Sequence, residues 1–93
     1  MKLIRFSQGD TKPRFGVVIG EHAVAFKTLL QRRGTTLPAL DDSRTYLAAL
    51  PESEQAAREL AAWGEAQLGS WAEAERPKLH DVRLHSPVEV AAL

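Results

Sequence analysis

The chain has 93 residues, room for one domain with one modest core, since a chain of this size buries a little over roughly 60% of its unfolded surface. Twelve Lys and Arg balance twelve Asp and Glu, so no net field draws in polyanions, and a nucleic-acid or membrane-surface role is set aside. The absence of cysteine removes disulfides, thiolate nucleophiles and zinc–thiolate centres together and fits a reducing compartment.

The first residues form a short alternating run rather than a basic region followed by an apolar one, so no signal peptide is read. No apolar run approaches the roughly 20 residues of a membrane-spanning helix. A soluble cytoplasmic protein is the expectation. Apolar residues make up 44% of the chain, but many are alanines, which bury little area each, so the core is expected to be thin.

In chain order, Lys2-Leu3-Ile4-Arg5-Phe6 is a β-prone alternating run, with Ile4 and Phe6 on one side and Leu3 and Arg5 on the other. Gly9-Asp10 and Pro13 supply a chain reversal. Arg14-Phe15-Gly16-Val17-Val18-Ile19 returns as a second strand, with Phe15, Val17 and Ile19 sharing a face. Gly20-Glu21 makes a second tight turn, and His22-Ala23-Val24-Ala25-Phe26 comes back as a third strand with Val24 and Phe26 inward. Residues 1–26 therefore read as an antiparallel β-meander.

Lys27-Thr28-Leu29-Leu30-Gln31-Arg32-Arg33 fits either a continuing strand or a helical turn stopped by Gly34. Pro38 keeps Leu37 out of the helical region, so an extended loop is expected there. Asp41-Asp42-Ser43 is a helix start, because each side chain can accept from an orphan amide and the carboxylates suit the positive dipole end. A helix over about 43–50 puts Tyr46, Leu47 and Leu50 on one packed face. Pro51 ends it and opens a longer helix over about 54–74, where Ala56, Leu60, Trp63, Gln67 and Trp71 recur at the helical period. Gly64 and Gly69 each weaken that helix by up to about 1 kcal/mol relative to Ala, so a bend near Leu68-Gly69-Ser70 is foreseen. Residues 79–88 alternate again and read as a closing strand, with Val82 and Leu84 facing one way and Arg83 and His85 the other. The chain stops on the apolar run Val90-Ala91-Ala92-Leu93 where termini usually fray in polar residues, so a cut from a longer chain is expected.

These elements define an α+β class: a small antiparallel β-meander of three to four strands with two helices, from the C-terminal half, packed on one face. A single domain covers residues 1–93, with the sheet in 1–26, a helical region in 41–76 and the closing strand in 79–88.

Few residues invite chemistry. His80 and His85, five apart on one predicted strand, point to opposite faces and do not form a shared metal site. His22 sits at a hairpin turn and is expected to be solvated. Asp41 and Asp42 open a helix side by side and share one environment, which suits capping rather than an acid–base pair. Arg32-Arg33 lacks the aromatic interleaving of a nucleic-acid site. Trp63 and Trp71 share one side of the long helix and are expected in the core, an exposed ring among them being the mark of a docking surface. No serine sits in a nucleophile elbow, and Gly16 and Gly20 make no phosphate loop. No catalytic, cofactor-binding or metal-binding residue is assigned.

The order of these segments carries a resemblance. Met1-Lys2-Leu3-Ile4-Arg5-Phe6, a polar turn, Arg14-Phe15-Gly16-Val17-Val18-Ile19-Gly20 and an apolar third strand resemble the N-terminal region of the fumarylacetoacetate hydrolase family. There an opening of Lys, two aliphatics, Arg and an aromatic precedes a strand carrying Gly and two aliphatics. A helical insert follows, and a segment like Val82-Arg83-Leu84-His85-Ser86-Pro87-Val88 leads into the catalytic domain. The likeness covers both ends of the chain, and the helical stretch 27–76 adds nothing specific. It implies a parent enzyme in which a small N-terminal domain precedes a β-rich catalytic domain that holds Mg²⁺ or a similar divalent ion through carboxylates. Such a domain acts on diketo or related oxo acids by hydrolytic carbon–carbon cleavage, with isomerases, decarboxylases and lyases among its relatives. The implied partners are the parent's own catalytic domain and, where the parent is a homodimer, a second copy. No nucleic acid and no membrane is implied. The family's Gly-x-Asn-Tyr stretch and carboxylate ligands have no counterpart up to Leu93, so no family site residue carries over. Val24-Ala25-Phe26-Lys27 also lacks the Asp-Leu that often follows the third strand, which leaves the substrate subgroup open. The alternative from a different class is a free-standing interaction domain with no activity.

Overall fold

The computed structural model describes residues 1–85. Strands β1 (Lys2–Ser7), β2 (Arg14–Ile19), β3 (His22–Ala25) and β4 (Arg83–His85) form one antiparallel sheet in the order β3-β2-β1-β4. The helices among the described residues are α1 (Phe26–Arg33), α2 (Ser43–Ala48) and α3 (Glu52–Gln67). The chain thus has the expected small α+β architecture.

The meander follows its turn chemistry. Gly9 and Gly20 take positive φ, 58° and 60°, at the reversals where a Cβ would be strained. Thr11 clamps the first reversal, its Oγ1 donating to the Gln8 carbonyl at 2.8 Å and accepting from the Gln8 amide at 3.0 Å. The third strand stops at Ala25, one residue short of the expectation, because Phe26 already begins α1. That settles the open choice for the following stretch as helix, ended by Gly34 in the left-handed region with Thr35 N–H bonded to the Leu30 carbonyl.

The sheet has two apolar faces. Leu3 pairs with Val17, and Val17 with Val24, so these side chains share the face on which Phe15, Ile19, Phe26, Leu29, Leu40, Tyr46 and Leu60 build the main core. Ile4 and Phe6 point to the opposite face and form a second cluster with Ala23 and Ala25. The helices cover only the first face.

The long helix ends at Gln67 and passes into a 3-10 turn over Leu68–Ser70, the place where a bend was foreseen. Its buried stripe is Ser53, Ala57, Leu60, Gly64 and Leu68; of the expected stripe Leu60 is on it, whereas Ala56 and Trp63 are half-buried and Gln67 is exposed. The helix is turned so that small side chains meet the core, which lets its axis come close: Ser53 Oγ donates to the Tyr46 carbonyl at 2.6 Å, and the Leu29 side chain fills the space beside Gly64. Helix α2 likewise buries Ser43 and Tyr46 and leaves Leu47 and Leu50, expected in the core, 46% and 43% exposed.

The expected closing strand is shorter than its alternation suggested. Residues 76–79 first run along the outer edge of β3, where Ala23 N–H bonds the Pro77 carbonyl and Leu79 N–H bonds the Glu21 carbonyl, both at 2.8 Å. A 3-10 turn over Leu79–Asp81 then lays Leu79 and Val82 over the second apolar cluster. Only after this crossing does the chain join β1 as β4, with Arg5 opposite His85 and Phe6 opposite Leu84. Residues 86–88 of the expected strand lie outside the described residues.

Two glycines are packing positions. A Cβ on Gly16 would overlap the Val24 carbonyl and the Ala25 backbone, and one on Gly64 would overlap Leu29. Gly16→Ala is expected to destabilise at the upper end of the ~1–3 kcal/mol typical of overpacking. Gly64→Ala should lower stability despite its gain in helix propensity of about 1 kcal/mol. Urea unfolding of both variants checks this, a rise in stability for Gly64→Ala being the contrary result.

Candidate functional site

The residues singled out in the sequence fall into separate places. Asp42 caps α2: its Oδ1 accepts from Thr45 N–H at 2.7 Å. That amide bond, followed by the Thr45 side chain, holds the Asp42 carboxyl below its ordinary value. Asp41 lies outside this contact and is exposed. The pair is one capping residue and one solvated neighbour.

Trp63 and Trp71 do meet, with ring centroids 6.1 Å apart. Trp71 is buried although it lies beyond α3 in extended backbone, and Trp63 is half-buried. The Arg33 guanidinium sits 5.8 Å over the Trp63 ring and that of Arg32 5.6 Å over Trp71. Arg32 also bonds Glu75 through two nitrogens, and this contact raises the arginine and lowers the carboxylate in pKa. The C-terminal turn of α1, with its two arginines, is thereby stitched to the chain leaving α3. Neither indole ring is left as an exposed docking surface.

The histidines also separate. His22 is half-buried rather than simply solvated, and its Nδ1–H donates to the Arg76 carbonyl at 2.7 Å. His85 Nε2 and Ser7 Oγ are hydrogen-bonded at 2.8 Å across β4 and β1. His80 lies in the 3-10 turn, not on a strand with His85, and its Nε2 is 3.3 Å from Asp81 Oδ1 in an exposed pair. Sequence reasoning missed the edge-binding role of Arg76 and Pro77. Proline after an arginine signals a helix stop, and nothing local tells that its carbonyl will meet a strand 54 residues away.

A polar opening of about 420 Å³ is lined by His22, Glu73, Arg76, Lys78, His80 and Asp81. It combines both signs of charge, and its histidines are engaged as described. Among the described residues no group of three or more His, Cys, Asp or Glu is arranged to hold a metal ion. Among the described residues the exposed large apolar ones are Met1, Leu47, Leu50 and Leu84. Leu47 and Leu50 flank Ala48 and Ala49 before Pro51, giving an uncharged corner between α2 and α3.

The fold is that of a small α+β domain. The family model described as Rv2993c-like, N-terminal matches residues 1–87. The chain belongs to that family, a domain found at the N-terminus of fumarylacetoacetate hydrolase family proteins. A comparison with curated proteins finds no match, and one with solved structures finds none either.

Two outcomes follow from these contacts. Asp42→Ala should cost about 1 kcal/mol as a lost cap, and Asp42→Asn only a small part of that. Because folding lowers the Asp42 value, its contribution is complete above the ordinary carboxylate range and is lost as pH falls through the depressed folded value. Asp42→Asn should therefore flatten the decline in stability below about pH 4, as read by urea unfolding across pH. Trp71→Ala should cost about 3 kcal/mol and Trp63→Ala clearly less, with iodide quenching reaching Trp63 before Trp71.

Proposed function

We propose that this chain is the non-catalytic N-terminal domain of a cytoplasmic, metal-dependent enzyme of the fumarylacetoacetate hydrolase type, acting on diketo or oxo acids. The observation that carries this reading is the family match over residues 1–87, which spans the whole described sheet, its helices and β4. The parent's reaction is hydrolytic carbon–carbon cleavage or a related isomerisation, decarboxylation or lyase step. A divalent ion such as Mg²⁺, held by carboxylates of the catalytic domain, would supply Lewis-acid chemistry to that reaction.

The work of this chain is contact. Leu47, Leu50, Met1 and Leu84 offer apolar area to the catalytic domain or to a second copy, and covering them lowers the cost of leaving leucines in water. The packed helices set Leu47 and Leu50 at one corner of the domain, so the domain shapes the surroundings of the parent's active site or its dimer.

The reading frame beyond Leu93 tests the proposal. Continuation into a β-rich domain with a Gly-x-Asn-Tyr-like stretch and carboxylate ligands is the expected result. A stop codon directly after Leu93 would overturn it in favour of a free-standing interaction domain. Calorimetric titration of the 93-residue chain with Mg²⁺ or Mn²⁺ should give no saturable binding, and micromolar binding would place a metal site in this domain instead.

A further inference from the structure

The segment 76–85 covers much and buries little of itself. It runs along the edge of β3, crosses the second face of the sheet and becomes β4. None of its residues is buried, Leu79, Val82 and His85 being half-buried and Leu84 exposed. Yet the residues of that face are almost completely withdrawn from water: Phe6 1%, Ile4 5%, Ala23 0% and Ala25 2% exposed. Among the described residues, the apolar side chains laid on this cluster from outside the strands are Leu79 and Val82. The main core, by contrast, joins three helices to the opposite face.

We infer that residues 76–85 act as a strap, a cooperative unit that opens while the helical core stays folded. Local opening is cheapest where few side chains are fully buried and the backbone is held by a small number of bonds. The strap meets both conditions. Among the described residues it hangs on the bonds from Arg76 and Pro77 to β3 and from Leu79 to Glu21 at one end, and on three paired residues and the Ser7–His85 bond at the other. Opening uncovers the apolar patch of Ile4, Phe6 and Ala23 and the outer edge of β1 beside Arg5, Phe6 and Ser7. Because the chain continues from the domain through β4, any restraint on the residues after His85 shifts this equilibrium, and opening in turn alters how those residues are held.

Native-state hydrogen exchange on the whole chain, read by NMR, tests the strap. The amides of Ala23 and Leu79 and the β1–β4 ladder should exchange as one group, at least tenfold faster than the amides of α3. Two variants separate the strap from the core. Val82→Ala weakens the closed state and should speed both groups. Ala57→Gly weakens a core that remains folded in the open state, so it should speed the α3 amides about fivefold and leave the strap group unchanged. A common rate for both groups overturns the inference. So does equal acceleration of both by Ala57→Gly, or a strap group indifferent to Val82→Ala.

Discussion

A four-stranded sheet with apolar residues on both sides has to be covered twice, and this constraint organises the molecule. Phe15, Val17, Ile19 and Val24 demand one cover, and Ile4, Phe6, Ala23 and Ala25 demand another. The helices satisfy only the first. The second falls to the piece of chain that leaves α3, rounds the edge of β3 and returns to the far edge of the sheet at β4. The same passage also pairs the outer edge of β3 at His22 and Lys78, an edge that would otherwise present unpaired backbone groups to other chains. Covering a face and blunting an edge are therefore one device.

Close approach is the second theme. The sheet accepts β3 beside β2 only because position 16 carries no side chain, and α3 accepts the Leu29 side chain because position 64 carries none. Ser53 and Ala57 continue that stripe of small groups. A helix packed through small residues places its larger ones at the margin of the contact, which is where Trp63 stands with Arg33 over its ring. The indole pair thus joins α1, α3 and the chain beyond α3, and the Arg32–Glu75 contact reinforces the same seam. The capping bond at Asp42 does comparable work for a helix too short to hold itself, since isolated helices of this length are marginal in water.

The chain's charges are balanced, while Asp42, His22, His85 and the Arg32–Glu75 pair are engaged in a cap, edge bonds and an ion pair, and Leu47 and Leu50 stand exposed at the corner between α2 and α3. Membership in a family of N-terminal domains agrees with that surface.

How far the sequence spoke can be told from particular residues. Glycine turns, alternation over residues 2–6 and 14–19 and a helix start at 41–43 follow from local physics, and the structure has strands, turns and the Asp42 cap there. The order of those segments also disclosed the family. The rotation of α3 did not follow, because Ala56 and Ala57 fit the helical period about equally well, and only the packing against Leu29 and Tyr46 chooses between them. Nor could alternation over residues 79–85 tell a strand from a crossing segment, since Leu79 and Val82 are drawn out of the strand pattern by a patch formed from β1 and β3. The sequence by itself determined the meander, the helix start at Asp42 and the family, because turns, caps and alternation act within a few residues. Only the tertiary structure decided which face each helix turns inward and how the second face of the sheet is closed, because those choices depend on surfaces assembled from different elements, as where Leu29 of α1 meets Gly64 of α3 and His22 meets Arg76, 54 positions away.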